Sequence, residues 1–347
     1  MSSIIFLGGS NYLSSSLKHR CIDVAREFHE MGVDTDIFYS RSNNVMNNYS
    51  MERINHWKNI LSLKPDFVVL NRSSNLIDYH MIKKLKKTSK IIFDYDDALF
   101  NVRFPGRIFG YSHLEKIMKI SDAITAGSHY LADYAKKFNP NVFLLPTAVD
   151  TNLFRPIKRK SPLNGKKITI GWMGIGSDYQ LKYFKLLKKP LQEISNYCDI
   201  KFKIVSAISP LIIKEFANVK YDVDFGLDYI VPLENMPGMI SDFDIGVMPL
   251  TNEQYEYGKC SMKALEYMSM KIPTVASTVG ENRFVISQGI NGFLANNSEE
   301  WFESFKKLIE NEDLRNYMGN NAREHVLNNY SLDVVANKFL KIIEGIH

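Results

Sequence analysis

Short apolar runs alternate with amphipathic stretches from one end of this sequence to the other. In the first half, Ile4–Leu7, Thr35–Tyr39, Phe67–Leu70, Lys90–Asp94, Ala123–Ala126 and Val142–Leu145 read as strands. Amphipathic segments fit between most of them. "SSLKHRCIDVAREFHEMG" has Ser ahead of its apolar pattern and Gly32 behind it, as helix boundaries do. Such alternation predicts parallel βαβ units. The rhythm breaks at "DTNLFRPIKRKSPLNGKK", whose prolines, glycine and basic cluster read as a linker. It resumes in "ITIGWMG", "FKIVSA", "VDFGLDY", "FDIGVMPL" and "PTVAS", and "SLDVVANKFLKIIEGI" closes the chain as an amphipathic helix. No internal repeat is evident. The pattern predicts an α/β chain of two Rossmann-like domains, 1–157 and 158–331. Two such halves facing each other across a cleft would bind ligands at the carboxyl ends of their strands.

The bulk numbers agree with two domains, since 347 residues exceed one comfortable hydrophobic core. Hydrophobic residues at 45% and charged residues at 23% are ordinary for a soluble globular chain, which argues against disorder. No apolar run approaches the roughly 18 residues of a membrane-spanning helix. "MSSIIFLGG" lacks the basic lead and long apolar stretch of a signal peptide. Cys21, Cys198 and Cys260 are far apart and odd in number, which fits a reduced compartment and gives no zinc spacing. A cytosolic location is the expectation, with no metal and no nucleic-acid partner.

Charge changes the picture in one place. Residues 1–157 hold 20 Lys+Arg against 15 Asp+Glu, while 158–347 hold 23 against 23, so the first half carries the whole net charge of +5. Its densest run is "DYHMIKKLKKTSK", where Ile82 and Leu85 share an apolar face with Lys83, Lys84, Lys86 and Lys87 around it. Such a helix can lie at an anionic membrane surface. It can equally be the solvated face of an α/β domain.

Several stretches can carry chemistry. In "GGSNYLSSS", Gly8 and Gly9 permit close backbone approach ahead of a helix N-terminus, which can hold a phosphate, although a tight turn explains them more simply. "FDYDDALF" places Asp94, Asp96 and Asp97 at the end of one strand. Clustered carboxylates repel one another and need a cation, a hydrogen-bond network or a charged substrate. One of them can cap the next segment, and Asp96 or Asp97 is the functional candidate. "IGWMGIGSDYQLK" opens the second half with a strand, then Gly174 and Gly176, then Ser177 and Asp178 as cap candidates.

The most specific stretch is "GKCSMKALEYMSMKIPTVAS". Helix N-termini favour acidic residues by about 0.3–1 kcal/mol each, yet this helix is flanked and opened by Lys259 and Lys263, with no acid until Glu266. Free amides at Cys260, Ser261 and Met262 beside two lysines suit a multiply charged anion such as a pyrophosphate. A local Lys263–Glu266 pair is the simpler alternative for one of the lysines. Glu266 is also the candidate for a ribose diol, a familiar partner of carboxylates in nucleotide sites.

Taken in order, "SDAITAGSHYLADY", "LPTAVDTNLFRP", "FDIGVMPL", "GKCSMKALEYMSMKIPTVASTVGENRFVISQGINGFLA" and "YSLDVVANKFLKII" resemble the retaining glycosyltransferases of family 4, group 1, across nearly the whole chain. The resemblance implies the GT-B fold, with a nucleotide-sugar donor on the C-terminal domain and a glycan or lipid-linked acceptor on the N-terminal one. It also implies that the last helix, 332–347, packs back on the first domain. The family's Glu-x7-Glu pair would fall on Gly258 and Glu266, so this chain departs from it at the first position. The loop after "IGWMG" also lacks the Arg the family often places there, and its Lys182 is distant. The end of "IIFDYDD" aligns with the segment that often bears the family's active-site His, which carries Asp96 over to that place.

The resemblance implies front-face transfer of a sugar to an acceptor hydroxyl with retention, in surface glycan assembly such as lipopolysaccharide, capsule or teichoic polymer. A nucleotide-sugar epimerase of the same architecture is one alternative. A non-catalytic nucleotide-sugar-binding scaffold is another. Donor turnover separates all three.

Overall fold

The computed structural model describes residues 3–11, 14–40, 51–102, 110–157, 167–205, 207–225 and 231–346. Half of the segment read as a linker, at 158–166, lies outside them, as do the middle of "GGSNYLSSS" and the end of "VDFGLDY". The chain divides into two compact units. Unit 1 comprises Met1–Asp150, Gln254–Cys260 and Tyr330–His347, and unit 2 comprises Thr151–Glu253 and Ser261–Asn329. The first boundary thus falls a few residues before the expected 157, and Gly258, Lys259 and Cys260 belong to unit 1 although their neighbours in sequence belong to unit 2.

Unit 1 is built on a parallel sheet of order β2-β1-β3-β4-β5-β6. Its strands are β1 (Ser3–Asn11), β2 (Asp34–Ser40), β3 (Phe67–Asn71), β4 (Lys90–Tyr95), β5 (Ala123–Ala126) and β6 (Val142–Leu144). Side chains alternate across a strand, and here both faces are covered. Ile5, Leu7, Val68, Leu70, Ile91 and Phe93 join one core, while Ile4, Phe6, Val69 and Ile92 join another. That is why β3 and β4 read as continuous apolar runs rather than alternating ones. The second core is closed by the helix Leu332–Glu344, whose Phe339 ring lies 6.2 Å from Phe6 and 5.9 Å from Phe28.

The helix Leu76–Leu85 shows what its apolar face is for. Ile82 and Leu85 are fully buried in the first core, while Lys83, Lys84 and Lys87 are exposed. Lys86 donates to the Ile120 carbonyl at 2.6 Å and pairs with Asp122 at 3.1 Å. Ile82 and Leu85 are therefore unavailable to lipid. Among the described residues, no helix is long and apolar enough to cross a membrane.

Unit 2 repeats the plan, with the parallel order β12-β11-β10-β7-β8-β9. Its strands are β7 (Ile168–Met173), β8 (Ile200–Val205), β9 (Asp222–Asp224), β10 (Ile245–Met248), β11 (Thr274–Ser277) and β12 (Gly292–Ala295). Ile170, Trp172, Phe202, Ile204, Val247 and Val275 form its core with the helices Leu181–Ser195 and Ser298–Glu310.

Candidate active site

In unit 1 the register of the sheet brings the carboxyl ends of β3 and β4 together, with Asn71 opposite Asp94. Of the three carboxylates there, Asp94 is fully occupied by structure. Both its oxygens accept from the Arg20 guanidinium, and it also accepts from Asn71 Nδ2 at 2.8 Å and Thr125 Oγ1 at 2.6 Å. Arg20 and Asp94 are both buried, so this pair and its hydrogen bonds bind the first helical segment to the sheet. Asp96 and Asp97 follow the strand. Asp96 accepts from Ser16 Oγ at 2.7 Å and lies 3.6 Å from Arg72. Asp97 is held from both sides, by Lys259 Nζ at 2.8 Å on one oxygen and by Arg72 at 2.9 Å on the other.

This pairing answers the question of charge posed by the sequence. Lys259 is not in the first turn of a helix, because the helix runs Met262–Ser269 and Lys259 belongs to unit 1. Its ammonium stands beside Asp97 and 4.6 Å from the centre of the Tyr255 ring. Burial pushes the Lys259 pKa down, but Asp97 and Tyr255 outweigh it and hold the lysine above its usual range. Burial likewise raises the Asp97 carboxyl, and Lys259 and Arg72 overcome that to hold it low. Burial and the Asp97 charge push the Tyr255 phenol up to about 12. Cys260 directs its thiol to the Asp96 carbonyl at 3.1 Å.

Gly8 and Gly9 correct the reading of the first loop. They are strand residues, since β1 continues to Asn11 and Gly8 pairs with Asn71. Arg53 donates to the Gly8 carbonyl at 2.8 Å, and a Cβ on Gly9 would come within 2.7 Å of the Asn71 carbonyl. Close approach of Asn71 and Ser73 accounts for Gly9, and a Cβ on Gly8 would meet Leu17 Cδ1 and, at 3.4 Å, Tyr39 Cβ.

In unit 2 the helix Met262–Ser269 begins after Ser261, which takes a left-handed φ of 57°. The Ser261 hydroxyl donates to Asn282 Oδ1 at 2.7 Å, which pins the turn, so the Ser261 side chain does not cap the helix, and no acid stands in the first turn. Lys263 lies 5.4 Å from the centre of the Trp172 ring, over the end of β7. Gly174, at φ 135°, makes room for it. A Cβ there would stand 2.6 Å from Lys263 Cε and displace the lysine, and the backbone conformation itself favours glycine. Two residues expected to meet the same anion, Gly174 and Lys263, are thus brought together. Met262 opens the helix and Glu266 is buried in it, 5% exposed, while the Tyr267 hydroxyl of the same helix accepts from the Met173 amide at 2.8 Å. Gly176 pairs with Ile208, and Ser177 shares a capping box with Gln180, so both serve the local turn. Lys182 is paired with Glu253 at 2.9 Å.

Residues 167–311 match the family model described as Glycosyl transferases group 1. Solved structures that resemble the whole chain include the following three. Sucrose-phosphate synthase from Thermosynechococcus elongatus is 13% identical, with a TM-score of 0.76 over 99% of this chain and 98% of that one. A glycosyltransferase from Rickettsia africae is 17% identical, with a TM-score of 0.72 over 99% and 98%. Anabaena HepE in complex with UDP and glucose is 11% identical, with a TM-score of 0.69 over 99% and 100%. The chain has the GT-B glycosyltransferase fold. No curated protein sequence matches it.

The departure from the group's paired glutamates has a physical cause in unit 1. A Cβ on Gly258 would stand 2.9 Å from both the Cβ and the backbone nitrogen of Ala98, and 3.2 Å from Leu131 Cδ2. The position cannot take a glutamate as the segment is packed. Sequence reasoning also missed Arg72. Its signal was a charged residue directly after the apolar run "FVVLN". A cavity of about 270 Å³ in unit 2, lined by Asp244, Pro273, Arg315 and others, lies at the opposite, amino ends of β10 and β11 and contains none of the candidate residues.

Proposed function

We propose that the chain is a retaining glycosyltransferase that moves a sugar from a nucleoside-diphosphate donor to an acceptor hydroxyl in surface glycan assembly. The observation that carries this reading is the convergence in unit 2 of Lys263, the first turn of the helix Met262–Ser269, which the Ser261 side chain does not cap, and Gly174. Backbone amides and a lysine at a helix N-terminus are a site for a diphosphate. The Anabaena structure with UDP and glucose supports testing UDP-glucose first.

In this reading Lys263 and the amides at Ser261 and Met262 hold the diphosphate, and Glu266 takes the ribose. As the C1–oxygen bond to the diphosphate breaks, negative charge grows on the leaving oxygen, and fixed positive groups stabilise it. The acceptor oxygen attacks C1 from the same face, and its proton passes to the departing diphosphate. Asp96 stands on the acceptor side, in unit 1. Asp97 is less suited to take a proton, because Lys259 and Arg72 hold it ionised. Lys263 and the helix N-terminus supply the charge a divalent metal would otherwise give, so turnover is expected to persist in excess EDTA. Lipid or glycan acceptors at an anionic surface would meet the exposed Lys83, Lys84 and Lys87.

The test is incubation with a panel of nucleotide sugars and candidate acceptors. Nucleoside diphosphate release together with a product that keeps the donor's anomeric configuration supports the proposal. Isomerised donor without release identifies an epimerase, and binding without either identifies a scaffold.

A further inference from the structure

Arg72 reaches both Asp96 and Asp97, at 3.6 and 2.9 Å. It does so from a backbone conformation that side chains rarely adopt, with φ at 60°. Its own amide donates to the Asp94 carbonyl at 2.8 Å, which fixes the turn against β4. Residues held in the left-handed region without being glycine are costly and gather where the surrounding structure needs the side chain. A glycine would relieve the turn, yet the chain places there a guanidinium with 19% of its side chain exposed.

We infer that Arg72 is a positioning residue that gives the two neighbouring carboxylates separate tasks. Its planar fork spans them, as a lysine ammonium cannot. Asp97 becomes a fixed anion that holds the Lys259 ammonium in place, and Asp96, with Ser16 on one oxygen, is left to face the acceptor. This rests on Asp96 being the acceptor-side carboxylate. Among the described residues, Arg72, Lys259 and Tyr255 act on Asp97, and Tyr111 and Tyr255 act on Arg72.

Three variants separate the guanidinium from the strain of its backbone. Arg72→Gly relieves the turn and Arg72→Ala does not, so Arg72→Gly melts at the higher temperature of the two. Both are expected to lower transfer turnover equally, by about tenfold to a hundredfold, with the donor KM unchanged, because misplacement acts on the transition state. Arg72→Lys restores only part of the loss. Normal turnover in Arg72→Gly overturns the inference, as does full rescue by Lys. A second measurement needs no activity. Asp97 is held below its usual range, so the stability it contributes is present at neutral pH and lost as pH falls through the carboxylate range. The melting temperatures of wild type and Arg72→Gly should converge between about pH 5 and pH 2. Parallel curves show that Arg72 does not fix Asp97 and end the inference, even for a protein that transfers no sugar.

Discussion

At the scale of single residues, the two lysines of the most specific motif have different surroundings, and their losses should differ. Lys263 stands at a helix N-terminus that the Ser261 side chain does not cap, beside Trp172 and Gly174. Lys263→Ala is expected to cut turnover by about two orders of magnitude, the scale for one preorganised charge-stabilising group. Its melting temperature should barely move, because relief of about 0.3–1 kcal/mol at the helix terminus offsets a lost cation–ring contact of about 0.5–1 kcal/mol. Lys259 is the opposite case. Its removal takes away one of the two cations the described residues place on the partly buried Asp97, and Lys259→Ala should cost about 1–3 kcal/mol of stability. The sign follows from linkage. The raised Lys259 pKa means its contribution is complete below the ordinary lysine range and disappears as pH rises through the folded value. Thermal melts from pH 7 to pH 11 check this, and a gap between wild type and Lys259→Ala that does not shrink at the alkaline end refutes it.

At the scale of elements, the helix Leu76–Leu85 tests how apolar pattern and charge divide their roles. Ile82 is fully buried, so Ile82→Ala should destabilise unit 1 by about 2–5 kcal/mol. Replacing Lys83, Lys84 and Lys87 with Gln should leave stability unchanged and remove only salt-sensitive pelleting with anionic vesicles, at about 1 kcal/mol per basic residue. Pelleting that survives both the Gln changes and high salt would mean that another face meets the lipid. The same helix shows what a sequence makes legible. Burial writes itself into apolar periodicity, so β3, β4 and β5 could be placed within a residue or so. Ladder pairing does not, because it is made by backbone. The continuation of β1 through Gly8 to Asn11 therefore reads as a loop, and β12, which opens on Gly292, does not stand out as a strand. Within the site, Gly174 and Lys263 were legible from local type and spacing. The partner of Lys259 was not, since Asp97 lies 162 residues earlier and only the fold makes them neighbours.

At the scale of the whole molecule, each unit has its own hydrophobic core, and the candidate residues are divided between them. That division makes binding and chemistry separable by mutation. Lys263 and Glu266 belong to unit 2 and Asp96 to unit 1. A nucleoside diphosphate at 100 times its dissociation constant adds about 2.7 kcal/mol of stability to the state that binds it. For a domain of unit 2's size this is a rise of about 5–10 °C in melting temperature. Asp96→Asn should keep that rise in full and lose most turnover, because a group on the acceptor side acts on the transition state rather than on donor affinity. Lys263→Ala should reduce the rise and lose turnover as well. An epimerase would need no acceptor, and its rate would be the same with the acceptor present or absent. A scaffold would show the melting shift alone. Melting with uridine diphosphate and turnover with UDP-glucose, measured on wild type and both variants, are the test. A diminished shift in Asp96→Asn, or an unchanged one in Lys263→Ala, would mean that the donor is not held where the helix Met262–Ser269 begins.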